Sequence, residues 1–338
     1  MAQSTDVQSL IAKILGAPLQ EVSDEPVFQD YYQYNGTQWV SARDDDQTTQ
    51  DGSTKRLDRI RLITWNIDVL SPGGEPRMKA ALEHVQQLVS KSAEPVVVFF
   101  QEMSESDLKQ ISDAPWVRDR FDITDLDGRF WTKPGFGPVY GTTTLVDKAL
   151  VVDARPFRVL VPSRFFRDAL FVDLRLPGDS EKALRLCNVH LESLLANPPV
   201  RPLQVAKAAA FMKAEKARAA LLAGDLNAIE PFDRTLHSDN GLKDAYLELG
   251  GKEDSDDGFT WGQQAPRALR DQFGCSRMDK AFYWGNIKAL SLERIGEGIE
   301  VSDEAERDAI RKAGGEIFAS DHLGLSIVFE VSQARGNL

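Results

Sequence analysis

The sequence predicts a single layered α/β domain, and three observations support this fold class. Apolar runs of strand length alternate with helical patterns in one continuous series from residue 57 to residue 331. No internal repeat or long low-complexity tract interrupts the series. The chain has 338 residues, 42% of them hydrophobic, which is enough for a substantial core and argues against a disordered or fibrous protein.

The residues before this domain, 1–56, are predicted to form an N-terminal extension. Apolar side chains recur at helical spacing over residues 7–15, which favours a short amphipathic helix. The stretch 44–54 reads DDDQTTQDGST and is typical of a polar linker. After the domain, which we place at 57–331, residues 332–338 are expected to form a C-terminal tail.

The first half of the domain is predicted to contain strands and one helix. Residues 57–67 predict a strand, and apolar residues spaced three or four apart from Met78 to Val89 predict a helix. The apolar run at 95–103 predicts a buried strand. Three more strands, separated by Pro, Gly and Asp turns, are expected at 142–152, 168–176 and 183–191.

The second half is predicted to continue with one helix and three strands. Residues 203–220 are rich in Ala and Lys and predict a long helix. The segments LLAGDLN, DKAFYW and GLSIVFEV predict strands at 221–227, 279–284 and 324–331. This order of elements is typical of helices packed against sheets.

Polar side chains of similar chemistry recur where the predicted strands begin or end. For one such residue, the simplest explanation is a helix cap or a solvated turn. Several strand ends that share carboxylates, carboxamides and imidazoles instead suit a hard cation beside a phosphate. The residues are Asn66, Asp68, Gln101, Glu102, His190, Glu192, Ser193, Asp225, Asn227, Asp279, Asp321 and His322.

Six motifs built on these residues occur in the order and spacing of the endonuclease/exonuclease/phosphatase superfamily. They are TWNID at 64–68, QE at 101–102, NVHLES at 188–193, GDLN at 224–227, RMD at 277–279 and SDH at 320–322. Six ordered motifs are specific where a single GDLN is not, so the chain resembles this superfamily over residues 57–331. With FTWG at 259–262, it is most similar to the tyrosyl-DNA phosphodiesterase 2 (TDP2) enzymes. The resemblance implies a four-layer α/β/β/α sandwich of two mostly antiparallel sheets flanked by helices, with the site at one sheet edge.

The resemblance and the side-chain chemistry together imply how a metal and a water are held. Glu102 is expected to bind Mg²⁺, or Mn²⁺ in its place, with Asp68 and Asn66 completing or orienting the metal shell. Asp225 is expected to orient or deprotonate the attacking water, helped by the carboxamide of Asn227.

The histidines are expected to act on the phosphate. His190 and His322 are predicted to donate hydrogen bonds to non-bridging oxygens, where charge grows in the transition state. The resemblance implies that Asp279 fixes the imidazole of His322 and raises its proton affinity. Asp321 is expected beside the metal or an adjacent water.

Four residues are predicted to bind the substrate. Ser193 closes the HLES motif, and Tyr140 matches a superfamily tyrosine near the phosphate. Trp261 matches a substrate-stacking tryptophan of the TDP2 enzymes, although a place in the core explains it equally well. Arg201 is the best candidate for a phosphate contact because it lies in a segment, 155–218, with twelve basic and six acidic side chains. A solvated helix face would account for the same charges.

The sequence also departs from the TDP2 pattern next to two of the motifs. Leu194 and Leu195 follow HLES where the resembled enzymes have Thr and a basic residue. Ala228, Ile229 and Glu230 follow GDLN where those enzymes have an arginine-bearing segment. The departures remove expected DNA contacts and leave the metal and water residues unchanged, so the chemistry is predicted more firmly than the substrate.

The leading hypothesis is a Mg²⁺-dependent phosphodiesterase that attacks a DNA 5′ end with water, as in DNA repair. A hydrolase of a small or lipid phosphoester, of the phosphoinositide or sphingomyelin type, is one alternative. A catalytically silent scaffold of the same fold is another, but the chain keeps Glu102, Asp225 and His322, which a scaffold would be free to lose.

Composition sets limits on location and partners. No apolar run approaches the ~18 residues of a membrane span, and the N-terminus lacks the basic segment of a secretory signal. Two cysteines are too few for a disulfide framework, so an intracellular protein of the nucleus or cytoplasm is expected. The net charge of −12 argues against nonspecific binding to duplex DNA, and no motif identifies a protein partner.

Overall fold

Two sheets packed face to face between layers of helices form the described part of the chain. The computed structural model describes residues 16, 19, 22–42, 57–131, 140–195 and 197–332. The arrangement confirms the predicted α/β/β/α sandwich. The predicted helix at 7–15, the linker at 44–54 and residues 333–338 of the tail lie outside the described residues. None of the helices described is long and apolar enough to cross a membrane.

Sheet A is one half of the sandwich. Its strands are β1 (Val27–Phe28), β8 (Phe157–Leu160), β9 (Asp168–Leu176), β10 (Asp179–His190), β11 (Ala217–Asp225), β12 (Lys243–Asp244) and β13 (Asp279–Gly285), in the order β1-β8-β9-β10-β11-β13-β12. β10 and β11 are parallel, with His190 opposite Asp225, and the other neighbours in this sheet are antiparallel. Because paired parallel strands end at the same edge, both side chains reach one end of the sheet.

Sheet B is the other half. Its strands are β2 (Tyr31–Tyr34), β3 (Trp39–Ala42), β4 (Arg59–Asn66), β5 (Val96–Met103), β6 (Phe121–Ile123), β7 (Gly141–Asp147), β14 (Ile287–Ile295) and β15 (Gly324–Val331), in the order β14-β15-β4-β5-β7-β6-β2-β3. Here β4 and β5 form the parallel pair, and Asn66 lies opposite Gln101. The parallel pair of each sheet therefore carries predicted site residues to its carboxyl end.

Helices pack on the outer faces of the two sheets, and further short helices lie in the connecting segments. They are α1 (Gly74–Lys91), α2 (Glu105–Asp113), α3 (Pro115–Arg120), α4 (Arg201–Met212), α5 (Leu236–Asp239), α6 (Ala245–Glu248), α7 (Arg267–Phe273) and α8 (Glu304–Lys312). α1 packs Met78 and Val85 against sheet B, and α4 packs Val205 and Met212 against sheet A. In α1 these apolar residues recur at the helical period that predicted it.

Strand β5 shows why its sequence is apolar without interruption. Successive side chains of a strand point to opposite faces of the sheet. Val97 and Phe99 therefore lie in the core between the sheets, whereas Val98 and Phe100 pack under the helices of sheet B. A strand buried on both faces needs apolar residues at every position.

Most of the predicted elements are confirmed, and two are wrong in part. β4, α1, β5, β9, β10, β13 and β15 overlap the ranges expected from the sequence. The helix predicted at 203–220 ends at Met212, and β11 begins at Ala217, where parallel pairing with β10 overrides the helix propensity of the alanines. The strand predicted at 142–152 ends at Asp147, where the chain turns.

Part of the predicted N-terminal extension joins both sheets. β1 pairs with β8 at the edge of sheet A. β2 and β3 form a hairpin that pairs with β6 at the edge of sheet B. Residues 27–42 thus cross from one sheet to the other, and the sequence analysis did not predict these strands.

Polar side chains connect the two sheets at the edge where the parallel strands end. Asn66 of sheet B donates from Nδ2 to Oδ2 of Asp225 in sheet A at 2.9 Å. Gln101 of sheet B donates from Nε2 to Oδ1 of Asn188 in sheet A at 2.8 Å, and Asn188 Nδ2 donates to the carbonyl oxygen of Thr143 at 2.8 Å. These side chains are fully buried, so each hydrogen bond replaces one with water.

We expect Asn188→Ala to destabilise the fold by about 2–3 kcal/mol, because it leaves Gln101 Nε2 and the Thr143 carbonyl with one buried partner fewer. The free energy of unfolding from urea titration measures the loss. Asn240→Ala is the control: its Nδ2 donates to the nearby carbonyl of Leu236 at a half-buried position, and a loss below about 1 kcal/mol is expected. Equal losses for the two variants would contradict the importance of the bridge.

Candidate active site

Asp225 lies at the centre of the candidate active site. It ends β11 and is 1% exposed. Its Oδ2 accepts hydrogen bonds from Asn66 Nδ2 at 2.9 Å and Asn227 Nδ2 at 3.3 Å, and its Oδ1 accepts from the backbone N–H of Asn227 at 2.7 Å. The Nε2 atoms of His190 and His322 lie 3.4 and 3.8 Å from Oδ2. Two carboxamides therefore fix a carboxylate beside two imidazoles.

The residue that precedes Asp225 must be glycine because the backbone of the neighbouring strand lies against it. A Cβ atom on Gly224 would lie 1.8 Å from the carbonyl oxygen of Val189 in the neighbouring strand. The φ of Gly224 is 148°, a value that residues with a side chain rarely adopt. The G of GDLN thus lets β11 approach β10 closely enough to bring Asp225 beside His190.

His190 is a neutral imidazole whose tautomer follows from its partner. Arg167 Nη1 lies 2.9 Å from Nδ1 of His190, and a guanidinium only donates, so Nδ1 accepts and the ring proton is on Nε2. Burial and the charges of Arg167 and His322 lower the pKa of His190 well below its usual range. Among the described residues, Nε2 has no hydrogen-bond partner, so its N–H is available to a bound phosphoryl oxygen.

His322 has the opposite protonation state. Its Nδ1 lies 2.8 Å from Oδ2 of Asp279. Burial lowers the pKa of His322, but the carboxylates of Asp279, Asp225 and Asp321 outweigh burial and raise it well above its usual range. Trp65 fixes the backbone of His322, because its Nε1 donates to the carbonyl oxygen of His322 at 3.0 Å. With Nδ1–H given to Asp279, only the protonated ring keeps a second N–H, at Nε2, for a substrate.

The donor set around Glu102 fits a divalent metal. Carboxylate oxygens of Glu102 and Asp225 lie 3.6 and 3.4 Å from Nε2 of His190. Because Nε2 carries the ring proton, the carboxylates supply the ligand atoms here. Burial and then the charge of Asp68 raise the pKa of Glu102 to about 7. The negative charges of the neighbouring carboxylates are therefore not fully balanced by positive side chains at this edge. A hard cation held by Glu102 would relieve this repulsion.

Asp68 and Asn66 are better placed to orient this shell than to bind a metal directly. Asp68 Oδ2 forms a 2.6 Å ion pair with the buried Arg77, and its Oδ1 accepts from the backbone N–H of Ser71 at 3.2 Å. Asn66 Oδ1 accepts from the backbone N–H of Asp68 at 2.9 Å, while Nδ2 is bound to Asp225. Each acceptor atom is therefore already in use.

Backbone strain is concentrated at this edge. In the described part of the chain, the non-glycine residues with positive φ are Asp68, Glu102, Phe166, Leu194 and Asn227, at 48–66°. Three of them are predicted site residues, and the other two adjoin Arg167 and Ser193. Each such conformation costs roughly 1–3 kcal/mol and persists only where the surrounding contacts enforce it. The fold thus spends stability on the placement of these side chains.

The family model described as Endonuclease/Exonuclease/phosphatase family matches residues 63–322. The chain belongs to this family. Its enzymes hydrolyse phosphoesters and depend on a divalent metal, so the chain is a phosphoester hydrolase whose carboxylates and histidines lie where such a metal could bind. The match includes all six motifs on which the resemblance was based.

Solved structures of family members have the same fold. Truncated TDP2 from Caenorhabditis elegans is 22% identical, with a TM-score of 0.59 over 81% of this chain and 98% of that one. D. rerio TDP2 with a single strand DNA product is 16% identical, with a TM-score of 0.58 over 81% and 99%. The human Nocturnin catalytic domain with a bound sulfate anion is 15% identical, with a TM-score of 0.55 over 81% and 95%. No curated protein matches the chain. At these identities, the likeness concerns the fold alone.

Ser193 and Tyr140, which are predicted to bind the substrate, both contact Arg167. Arg167 Nη2 donates to Ser193 Oγ at 2.8 Å, and its guanidinium carbon lies 5.2 Å from the ring centre of Tyr140. Arg167, Tyr140, His190 and Phe165 line a cleft of about 340 Å³. The arginine therefore supplies a positive charge between the neutral histidine and the aromatic wall of the cleft.

Trp261 is at the site as the partner of Asp321. Its indole Nε1 donates to Asp321 Oδ2 at 2.8 Å, and its backbone bridges to His322. Trp261 is 8% exposed. Burial and the charge of Asp68 raise the pKa of Asp321 to about 6. Among the described residues, Asp321 Oδ1 accepts no hydrogen bond, and His322 Nε2 lies 3.9 Å from it. Stacking of Trp261 on a substrate stays a prediction.

Arg201 is not a surface phosphate contact, which corrects the prediction. Its side chain is 1% exposed and forms a two-point ion pair with the buried Asp233, with one N–H···O distance of 2.8 Å. Its remaining nitrogen donates to the carbonyl oxygens of Glu192 and Leu194. Arg201 therefore fixes the backbone at the end of the HLES motif from a buried position.

Arg167 is the residue that the sequence analysis missed. It belongs to the same basic segment, 155–218, and immediately precedes β9. The pattern SRFFRD, with a charged residue between aromatic residues and a buried strand, was a signal for it. A phosphate contact from the segment stays a prediction, and the structure directs it to Arg167 in place of Arg201.

We expect protons to compete with Mg²⁺ for Glu102, because its pKa is raised to about 7. Below pH 7 the metal must displace a proton, so the apparent affinity for Mg²⁺ falls by about tenfold per pH unit, and above pH 7 it levels off. Glu102→Gln removes most of this dependence and weakens binding. Calorimetric titration of Mg²⁺ at pH 5.5, 6.5 and 7.5 measures both effects. The same affinity at all three pH values would exclude Glu102 as a ligand.

The second prediction from the site concerns His322. Activity is expected to fall as pH rises through the raised pKa of His322, because the neutral ring keeps its proton on Nδ1 for Asp279 and loses the Nε2 donor. His322→Ala lowers kcat by about 10²–10³-fold with little change in KM, and its pH–rate profile lacks this basic limb. A variant that keeps the basic limb would show that the imidazole is structural.

Proposed function

We propose that the chain is a Mg²⁺-dependent phosphodiesterase that cleaves a phosphoester at a DNA 5′ end by direct attack of water. The observation that carries the proposal is the arrangement at Asp225. One fixed carboxylate has beside it a neutral imidazole, His190, and a protonated one, His322, each with an N–H directed by a partner on its other nitrogen. That set combines a general base with donors for a phosphoryl group.

Asp225 is the group that holds and deprotonates the water. Its Oδ1 and Oδ2 are fixed by Asn227 and Asn66, so the carboxylate keeps one orientation without substrate. A catalytic group that is already oriented does not have to reorganise during the reaction, and this lowers the barrier. When bound at Glu102, with Asp68 and Asn66 orienting its shell, Mg²⁺ would neutralise phosphate charge and stabilise the departing oxygen.

His190, His322 and Arg167 act on the phosphoryl oxygens. The N–H groups at Nε2 of both histidines donate to oxygens that gain charge, and Asp279 stabilises the imidazolium of His322. Arg167 adds a fixed positive charge next to His190. These donors are buried, so their hydrogen bonds are stronger than those made in water.

Two observations support DNA as the substrate. The motifs most resemble those of the TDP2 enzymes, and one similar structure, of D. rerio TDP2, holds a single strand DNA product. Between Trp261 and Ser276, whose backbones pair, the exposed helix α7 presents Arg267 and Arg270 together with Leu269 and Phe273, and Arg267 also forms an ion pair with Asp271 at 3.5 Å. Arginine and apolar side chains on one surface suit a phosphate backbone with unpaired bases.

A lipid phosphoester is the second candidate, and the rim of the site favours it. Loops that carry site residues expose aliphatic side chains next to them: Leu70, Leu194, Leu195 and Ile229 are 38–66% exposed. The backbones at Leu194 and Ile229 are held at the two ends of a single ion pair, because Arg201 binds the Leu194 carbonyl and Asp233 binds the Ile229 N–H. Exposed apolar groups around an active site suit a substrate with an acyl chain.

A panel of substrates tests the proposal. The protein with Mg²⁺ is incubated with a 5′-phosphotyrosyl oligonucleotide, an abasic duplex, a phosphoinositide and sphingomyelin. We expect cleavage of the oligonucleotide, with a rate that falls as salt rises because phosphate contacts release counterions. Cleavage of a lipid alone, without salt dependence, would overturn the DNA assignment in favour of the second candidate.

Asp225→Asn is the matched control for the panel. It keeps the size of the side chain but removes the base, and its NH₂ group cannot accept the hydrogen bonds made to one of the two oxygens. Turnover should fall by at least about 10²–10⁴-fold and substrate binding much less, because the donors His190, His322 and Arg167 remain. Binding is measured by fluorescence anisotropy of the labelled oligonucleotide. Turnover that survives in Asp225→Asn would place the base elsewhere.

A further inference from the structure

We propose that Gln29 and Arg158 are positioning residues for the active site, and that the N-terminal strands β1 to β3 therefore belong to the catalytic unit. The inference takes the proposed phosphoester hydrolysis at this site as given. Both residues lie outside the six motifs, and Gln29 also lies outside the residues that match the family model. Arg158 binds Asp168, which follows Arg167, and Thr142, which lies two residues after Tyr140.

Gln29 lies where the chain crosses from sheet A to sheet B, and it is fully buried. Its Nε2 donates to the carbonyl oxygen of Thr124 at 2.7 Å, and its Oε1 accepts from Nε of Arg158 at 2.7 Å. Its backbone N–H donates to the carbonyl oxygen of Pro156 at 2.9 Å. Gln29 thus connects one strand of each sheet through both ends of its carboxamide.

Arg158 of β8 passes this connection on to the cleft. Its Nη1 donates to Asp168 Oδ1 at 2.9 Å and to Thr142 Oγ1 at 3.1 Å. Its Nη2 donates to Asp125 Oδ1 at 3.0 Å and to the carbonyl oxygen of Thr142 at 2.9 Å. With Nε bound to Gln29, each guanidinium nitrogen has a partner, and the side chain is 3% exposed.

The residues held by Arg158 are neighbours of the residues that face the substrate. Asp168 directly follows Arg167, and Thr142 lies two residues after Tyr140. Asp168, Thr142, Arg167 and Tyr140 all line the same cleft. A shift of the 167–168 backbone by roughly 1 Å is enough to break the Arg167–His190 hydrogen bond. The tautomer of His190 therefore depends on a glutamine two strands away.

A buried ion pair elsewhere in sheet A provides a matched control. Arg185 of β10 binds Asp173 through two nitrogens, at 2.7 and 2.8 Å, and the carbonyl oxygen of Phe211 through the third, at 2.7 Å. It is 6% exposed, much like Arg158. None of its partners lines the cleft or belongs to the site. Arg185→Met therefore removes a comparable network that does not include Asp168 or Thr142, and the methionine can keep the apolar contact that Arg185 makes with the ring of Phe157.

The first experiment reads the His190 tautomer directly. The chain has four histidines, so the ring nitrogens can be assigned in protein labelled with ¹⁵N-histidine. In the unmodified protein we expect His190 to be the Nε2–H tautomer at pH 7. Gln29→Leu should give a mixture of tautomers, whereas Arg185→Met should leave the signal unchanged. This measurement requires no turnover.

The second experiment is a double-mutant cycle on a chromogenic diester, thymidine 5′-(4-nitrophenyl phosphate), with Mg²⁺. Gln29→Leu should raise KM, and the Kd for inorganic phosphate, by about tenfold, with kcat lowered less than threefold. In an Arg167→Met background the same change should alter KM less than twofold, because Gln29 acts through Arg167. Thr142→Val removes a single acceptor of Arg158, so it provides a milder test if Gln29→Leu does not fold, with a rise in KM of about threefold expected.

The outcomes separate this inference from the proposed function. Failure of the unmodified protein to hydrolyse the diester argues against the proposed function, and the His190 signal and phosphate affinity then still test the positioning role. Turnover with additive effects of Gln29→Leu and Arg167→Met would overturn the inference. So would equal changes of tautomer or KM in Arg185→Met, since these would reflect general destabilisation.

Discussion

The hydrogen bond between Asn66 and Asp225 is the contact on which the rest of the site depends, because it joins the two sheets at the edge where chemistry takes place. Each residue ends one strand of a parallel pair, so the pairing within each sheet and the packing between sheets must both be correct for the bond to form. Gln101 and Asn188 repeat the connection deeper in the sandwich. Stability of the fold and geometry of the site thus rest on the same buried polar side chains.

The two histidines show how similar side chains receive different charges from their surroundings. His190 faces an arginine and stays neutral, whereas His322 faces carboxylates and stays protonated. The difference is set by partners on the far side of each ring, Arg167 and Asp279. A phosphoryl group that enters between them meets N–H donors on both rings, and the carboxylate of Asp225 keeps a position next to both.

Local patterns predicted much of this structure, and long-range contacts account for the errors. Apolar alternation and turn residues were sufficient for strands such as β4, β5 and β9, and motif order was sufficient for the residues around Asp225. The helix expected at 203–220 failed because strand pairing decides the state of Ala217–Ala220. Arg201 and Arg167 look alike in a basic segment, and only tertiary contacts direct one to Asp233 and the other to His190. The strands at 27–42 are short and gain their stability from partners more than 80 residues away.

The connectivity of sheet B also has a consequence for how the protein is made. β15 pairs with β4, with Leu325 opposite Thr64, so β4 gains this neighbour only after residues 324–331 have left the ribosome. Contacts this distant in sequence form slowly, because the entropy of closing a long loop is lost before the contacts can stabilise the chain. Until then, the apolar inner face of β4 and β5 is open to other chains. A growing chain of this protein is therefore a natural client for chaperones, and the candidate site cannot form before His322 and β15 have been synthesised.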